Sequence, residues 1–346
     1  MHTSRRTDRH RHRELRLALI GTGRWGTNIA RTLRTIPGCH LVGVETRGWR
    51  KLLQSPDLDG VLIATPGSTH AAIALPFIEG GIATFIEKPL TTKLSDALRL
   101  ERAARRSGAL IFVGHVHLYN PAYLAAKNLA KRAGPIRYIV AEGMNNGPFR
   151  DDLSALWDWA PHDVALCVDL LRSVPRAVRA WSVRTLRPRT HLDDFAVVEC
   201  AFPKNIHSFL MESWLMPEKR KRLTIVGTRD TVVFDDTAEQ KVTLFAGMGP
   251  RVRGKAVERR EPRISYPTYA SDPPLQIELK EFLASIRSSR KHLTNLTQAV
   301  DTIRVLEAAE RSIERGGLWV RPFPVGDRAA GTRGGPPRGL HGPVPH

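Results

Sequence analysis

Leu15-Arg16-Leu17-Ala18-Leu19-Ile20-Gly21-Thr22-Gly23-Arg24-Trp25-Gly26 is the stretch that decides the fold class. An apolar run from Leu17 to Ile20 leads into Gly-x-Gly-x-x-Gly, and Thr27–Ile36 reads as a helix closed by Pro37 and Gly38. In a strand–turn–helix unit each glycine has its own task. Gly21 permits the tight turn, Gly23 lets the backbone approach a pyrophosphate, and Gly26 lets helix and strand pack closely. The free N–H groups and the dipole of the helix N-terminus then favour the phosphates. Glu45 stands 19 positions after Gly26, at the end of the strand His40–Val44, where it can accept hydrogen bonds from ribose hydroxyls. That favours NAD. Arg47 follows closely enough to meet a 2′-phosphate, which leaves NADP as the alternative.

Outward from this unit the chain alternates short apolar strands with helices. Gly60–Thr65 is a strand ending on Pro66, and Thr69–Glu79 a helix stopped by Gly80 and Gly81. Ile82–Ile86 is the next strand, Ser95–Arg106 a helix with Ser95 as N-cap and Gly108 as C-cap, and Ala109–Gly114 the last strand. Continuous apolar strands separated by helices predict an α/β Rossmann domain, a doubly wound parallel sheet covered on both faces. Between the second strand and Gly60 only Thr46 to Asp59 remain, with one short helical piece at Trp49–Gln54. This suffices for one crossover and not two, so one edge strand should be missing. From Pro135 onward strands follow one another: Ile136–Glu142, Ala177–Arg187, Ala196–Phe202, Ile206–Trp214, Arg222–Val226, Thr231–Asp235 and Val242–Phe245. A helix at His162–Leu171, with Pro161 at its first position, interrupts them, and helices at Pro274–Ser288 and Leu296–Arg315 close the chain. This predicts an α+β domain with a large antiparallel sheet. The expected division is a disordered basic N-terminus (1–14), a dinucleotide-binding domain (15–122), a substrate-binding and oligomerisation domain (123–325) and a disordered Gly/Pro/Arg tail (326–346).

Composition is that of a globular protein, with 42% hydrophobic and 25% charged residues among 346. The net charge of +19 comes in part from arginine-rich segments, Arg5 to Arg16 and Arg251 to Arg263. Stacking aromatics are not interleaved with these charges and no reading helix accompanies them, so no nucleic-acid partner is expected. A general pull on anionic substrates remains. No apolar run reaches the roughly 18 residues of a membrane helix, and no signal-type segment follows the basic start. Cys39, Cys167 and Cys200 lie far apart in apolar settings, without disulfide or zinc spacing, which points to a reducing, cytoplasmic setting. No metal site is expected.

Two further segments belong at the carboxyl ends of strands, where such sheets place their chemistry. They are Glu87-Lys88-Pro89 and Trp157-Asp158-Trp159-Ala160-Pro161-His162-Asp163. With the glycine fingerprint and with Ala64-Thr65-Pro66 and His70, they give the chain a resemblance from about Leu15 to Pro322 to the Gfo/Idh/MocA family (glucose–fructose oxidoreductase, inositol dehydrogenase, rhizopine catabolism). The resemblance implies hydride transfer between a nicotinamide and a hydroxyl-bearing carbon of a sugar-like substrate. Lys88 would polarise the reacting oxygen, His162 relay its proton, and Asp158 orient the histidine or bind a neighbouring hydroxyl. The cofactor set it implies is Gly21, Thr22, Gly23, Arg24, Trp25, Gly26, Glu45, Thr65, Pro66, His70, Glu87 and Lys88. His115, Tyr119, Asn120 and Trp157 would line the substrate pocket; Trp159 reads as core.

The residues support part of this on their own. With Pro161 opening a helix, His162 lies in its first turn, where the dipole disfavours imidazolium and leaves a neutral base. Alone, Lys88 is a surface lysine and His162 a histidine of no special role; with the fingerprint upstream they form a constellation. Gly114–Pro121 and Leu156–Asp163 look most like the nucleotide-sugar 3-dehydrogenase branch, and the positive charge suits a phosphorylated or nucleotide-linked sugar. Two other functions compete: an NAD-dependent glycosidase of the same family, and a dinucleotide-binding regulator without catalysis. The second-domain strands carry more apolar residues than one helix layer can cover, which predicts a homodimer or homotetramer.

Overall fold

The computed structural model describes residues 13–254, 256–258, 260–288 and 296–323. The two ends expected to be disordered lie outside the described residues, apart from Arg13 and Glu14. Five strands, β1 (Leu15–Ile20), β2 (Cys39–Glu45), β3 (Gly60–Ile63), β4 (Ala83–Glu87) and β5 (Ile111–Gly114), form a sheet in the order β2-β1-β3-β4-β5. Every pair in it is parallel. β3, β4 and β5 are buried along their whole length, which is why β3 and β5 are apolar runs without alternation and β4 departs from one only at Thr84 and Glu87. The chain steps from β1 to β2 on one side and then crosses to β3 on the other. The order therefore reverses beside the carboxyl end of β1, the place where this architecture opens a crevice. The short link after β2 holds only a 3₁₀ turn, Trp49–Gln54, and β2 is the edge, as its length predicts. Trp49 closes that edge by packing on Phe77, ring centroids 5.8 Å apart.

Helix α1 (Arg24–Leu33) begins three residues earlier than the apolar periodicity indicates. Its first i→i−4 bond runs from the Thr27 N–H to the Gly23 carbonyl, so it springs directly from the fingerprint. α2 (His70–Glu79) follows β3, and α3 (Leu94–Ser107) follows β4. Ser95 does not cap α3: it lies inside the helix, behind the N-cap Lys93. The Leu94 N–H is held at 2.6 Å by Glu307, a tertiary carboxylate standing in for a local cap.

The second sheet contains β6 (Ile136–Asn146), β7 (Ala177–Val183), β8 (Phe195–Phe202), β9 (Ile206–Ser213), β10 (Leu215–Gly227), β11 (Thr231–Asp235), β12 (Val242–Ala246) and β15 (Arg263–Ser265). Its order is β15-β12-β11-β10-β6-β9-β8-β7, and β13 (Arg251–Arg253) pairs separately with β14 (Ala256–Glu258). All neighbours in the large sheet are antiparallel except β6 and β9, which run parallel. The chain leaves β6 for a helix and two strands before returning beside it, so a purely antiparallel sheet is not formed. α4 (Pro121–Ala130) lies on β11, α5 (Ala155–Leu171) on β6 and β9, and α7 (Leu296–Glu314) on β7 and α5. α7 also packs on α3, joining the two sheets. α6 (Pro274–Arg287) drives Phe282 between Phe85 and Phe112, edge-on to both at 5.6 Å. Such pairs contribute about 0.5–1.5 kcal/mol each beyond burial.

α5 starts at Ala155, not at Pro161. Ser154 is its N-cap, accepting from the Trp157 N–H at 3.5 Å, and Pro161 sits in the helix interior. The Trp157 carbonyl consequently has no helical N–H to accept from. His162 is thus two turns from the helix start, beyond the reach of the terminal dipole, and its protonation must be set by something else.

Candidate functional site

At the end of β1 the three glycines serve distinct ends. Gly21 has φ +110°, and an added Cβ would collide with the Ala64 carbonyl of β3's end. A Cβ on Gly26 would strike the Gly21 carbonyl. Gly23 is the opposite case: a Cβ there meets nothing within 4 Å. Its backbone is extended, at φ −66° and ψ −178°, so neither strain nor packing requires glycine. Open space above the first N–H groups of α1 is what a pyrophosphate needs. Thr22 bonds Thr46 through their hydroxyls at 2.7 Å, closing the first turn against the end of β2. Glu45 aligns with Ile20 across the β1–β2 pair and forms an ion pair with Lys51 at 2.8 Å. Lys51, from the 3₁₀ turn, thus stands beside the carboxylate expected to meet the ribose, a cation that no local sequence signal marks. Arg47 and Arg24 are exposed.

The ends of β3 and β4 are tied together by His70. Its buried ring stands 2.9 Å from both the Thr65 and the Pro89 carbonyl oxygens, at opposite nitrogens. A neutral imidazole donates to one of them. Burial lowers its pKa, partly opposed by these backbone contacts. His70 therefore acts as a strut under Thr65-Pro66 and the cis Lys88–Pro89 turn. Thr65 adds a hydroxyl bond to Thr69 at 2.8 Å. Glu87 is buried and accepts from the Trp25 indole N–H, linking β4 to α1. Burial pushes its carboxyl up to about 7, opposed by Trp25 and Lys88.

Lys88 crosses from the first sheet to α5. Its ammonium donates to the Asp158 carbonyl at 2.8 Å and to Asp158 Oδ1 at 3.3 Å. The other carboxylate oxygen of Asp158 accepts from the Trp214 indole at 3.2 Å, and Arg150 lies 3.7 Å from Oδ1. His162 is four residues after Asp158, on the same helix face. It is buried, its Nδ1 has no hydrogen-bond partner among the described residues, and its ring meets His117 edge-on at 4.5 Å. Burial pushes its pKa well below the usual range, with the charge of Lys88 next in size. The neutrality expected from a helix terminus thus arises from desolvation beside cations. His115, also buried and with neither ring nitrogen partnered among the described residues, is lowered to about 4 by burial and Lys88. A lysine ammonium held next to neutral imidazoles is suited to steadying an alkoxide while a base takes its proton.

The remaining residues of the expected pocket are placed elsewhere. Tyr119 is in the core, stacked on Phe112 at 5.9 Å. Asn120 caps α4 through the Ala122 N–H and donates to Asp236 at 2.9 Å. Trp157 is buried, its N–H on Glu310 at 2.6 Å. The tryptophan that lines the cleft is Trp159, with His117, His162, Gly143, Asp163 and Lys221. Its assignment to the core does not hold: with the helix starting at Ala155 and not at Pro161, Trp159 turns toward the sheet beside His162. Behind that cleft, Asp163 and Glu212 converge on Gly143, where an added Cβ would meet both carboxylates. Neither Glu212 oxygen finds a donor among the described residues. Burial raises the Asp163 carboxyl to about 7 and that of Glu212 well above its usual range. Among the described residues, no group of three or more His, Cys, Asp or Glu side chains is arranged to hold a metal ion. Nor is any described helix long and apolar enough to cross a membrane.

Comparison with known proteins adds to this geometry. Residues 44–115 match the family model described as oxidoreductase family, NAD-binding Rossmann fold, and residues 131–233 match the GFO/IDH/MocA C-terminal domain. The first match begins after the glycine fingerprint, which stands on its own geometry. The scyllo-inositol 2-dehydrogenase (NAD(+)) of Bacillus subtilis (strain 168) is 32% identical over 136 residues, covering 33% of this chain and 39% of that protein. The UDP-N-acetylglucosamine 3-dehydrogenase of Acidithiobacillus ferrooxidans is 27% identical over 245 residues, covering 68% of this chain and 72% of that protein. A solved oxidoreductase from Magnetospirillum magnetotacticum MS-1 superposes with a TM-score of 0.75 at 31% identity, covering 86% of this chain and 99% of that one. The chain spans less than half the length of three of the inositol dehydrogenases it matches, 39%, 46% and 40%, and 58% of a fourth.

Proposed function

Since this chain belongs to the Gfo/Idh/MocA oxidoreductase family, we propose that it transfers a hydride between a nicotinamide dinucleotide and a hydroxyl or keto carbon of a sugar, cyclitol or nucleotide sugar. One observation carries the reading: Lys88, from the end of β4, reaches Asp158 on α5, one helical turn before a buried His162 whose pKa burial lowers. A dinucleotide regulator has no use for that bridge. The free N–H groups of Arg24 to Gly26 and the open space at Gly23 suit a pyrophosphate, and Glu45 suits a ribose without a 2′-phosphate, so NAD is the preferred cofactor. When bound, the nicotinamide supplies the hydride acceptor or donor. The chain's own groups handle the proton. In the oxidative direction Lys88 steadies the developing alkoxide, and neutral His162 accepts the hydroxyl proton. Asp158, with Trp214 on its second oxygen, keeps the ammonium in place. The test is release of dinucleotide on denaturation, followed by a screen of polyols, sugars and nucleotide sugars for formation of reduced nicotinamide. Oxidation of at least one hydroxylated substrate is expected. Hydrolysis of a glycosidic bond without net reduction of the cofactor would favour the glycosidase reading instead.

The open face of the large sheet suggests how the protein assembles. Registers across β6, β9, β8 and β7 put Tyr138, Phe209, Trp181 and Val183 on one side, each more than a third exposed. A monomer rarely leaves so much aromatic surface uncovered. A homodimer or homotetramer joined through this face is expected by light scattering at micromolar concentration; a monomer there would contradict it. With its three cysteines free, the protein suits the reducing cytoplasm.

A further inference from the structure

Of the two β10 cations that line the cleft, Lys221 and Arg222, it is Lys221 that is partly buried. It extends from β10 into the space between the sheet and α5, where the β6–β10 register sets it opposite Gly143. Its ammonium lies 3.4 Å from His117 Nε2 and 5.2 Å over the Trp159 ring. No carboxylate oxygen lies within 4 Å of it among the described residues, in contrast to Lys51, Lys88, Lys127 and Lys241. The carboxylate on the far side of His117, Asp236, stands 3.9 Å from that imidazole and is already bound by Lys241 and Asn120. Asp163 of α5 also lines the cleft, and burial raises its carboxyl to about 7. The contact fixes the imidazole tautomer: Nε2 accepts from the ammonium, so Nδ1 carries the hydrogen and faces Asp236. Trp159 contributes a second unmet demand, since its indole N–H is buried without an acceptor among the described residues. A partly buried cation and an unused donor thus line one cleft beside His162. An anionic ligand in the cleft would supply the counter-charge and the acceptor that these two groups lack.

We propose that Lys221 is the anion-recognising residue of this cleft, and that the substrate is a sugar-like polyol bearing a carboxylate or phosphate whose oxygens meet Lys221. The inference rests on the reading of the Lys88–Asp158–His162 cleft as the substrate site. It narrows the substrate class from any polyol to an acidic one, and it moves the charge from the general surface to one side chain.

The test measures binding, so that it does not depend on turnover. Dinucleotide-loaded protein is titrated by calorimetry at fixed ionic strength with D-glucose, D-glucuronate and D-glucose 6-phosphate. Either anionic sugar should bind the wild type about 10- to 100-fold more tightly than glucose, the range of one hydrogen bond to a charged group. The carboxylate and phosphate arms show which anion the cleft accepts. Lys221→Gln should erase the preference and Lys221→Arg should keep most of it, which separates recognition from a folding defect. Equal affinity for all three, no binding of either anion, or a preference that survives Lys221→Gln would overturn the proposal. Reduction of the dinucleotide is read separately. An anion preference without turnover on any hydroxylated substrate would leave Lys221 in its role and remove the oxidoreductase reading.

Discussion

Gly23→Val is expected to lower dinucleotide affinity by about 100-fold or more while the melting transition barely moves. The two halves of that result come from one geometric fact. An added Cβ at Gly23 meets no protein atom within 4 Å, and the backbone there is conventional extended chain. Valine adds at most the loss of a favourable N-cap, about 1 kcal/mol. The volume it occupies is the space above the first N–H groups of α1, where the pyrophosphate must approach closely. Gly26→Val would be a poor substitute, because its side chain would run into the Gly21 carbonyl and disturb the unit whether or not a dinucleotide binds. Calorimetric titration with NAD and a circular dichroism melt decide the matter together. Wild-type NAD affinity in a folded Gly23→Val protein would take away the basis of the dinucleotide assignment.

What the sequence made legible is what local chemistry encodes. The strand–glycine–helix unit, the all-apolar β3 and β5, and the short link after β2 each follow from neighbours in the chain. The start of α5 did not, because two signals competed. Pro161 is a good first helical residue, and Ser154 is a good N-cap; tertiary packing of Ala155 to Trp157 chose the latter. That one choice exchanged the roles of Trp157 and Trp159 and took His162 away from the helix terminus. Its neutrality was anticipated, though by the wrong cause. Lys221 was invisible for a different reason. It lies in a basic run, Lys219 to Arg222, that reads as solvated surface, and only the pairing of β10 with β6 turns one of those four residues inward. The Asp163–Glu212 pair likewise joins α5 to β9 across 49 positions of chain, which no local pattern announces.

Loss of Lys88 or His162 should lower turnover by about 10²- to 10⁴-fold, the range of electrostatic and acid–base groups, with dinucleotide affinity nearly unchanged. Neither residue touches the space at Gly23, so the two classes of variant should separate cleanly. The pH profile distinguishes them from each other. In the folded protein the pKa of His162 is lowered, first by burial and then by Lys88, so its base form persists below the ordinary histidine value of about 6.5. Alcohol oxidation therefore needs His162 unprotonated, and the rate rises with pH along a limb on the acid side of that value. His162→Asn should remove this limb, while Lys88→Met should depress the rate at every pH and keep the limb. Lys88→Met also removes the Asp158 contacts at 2.8 and 3.3 Å; Trp214 and Arg150 still face the carboxylate, so the fold should survive. Steady-state kinetics on the substrate found in the screen, across pH, supply the measurement. Wild-type turnover in both variants would show that the constellation is structural. A limb that persists in His162→Asn would move the base to another group, and His115, buried beside Lys88 with neither nitrogen partnered among the described residues, is the next to examine.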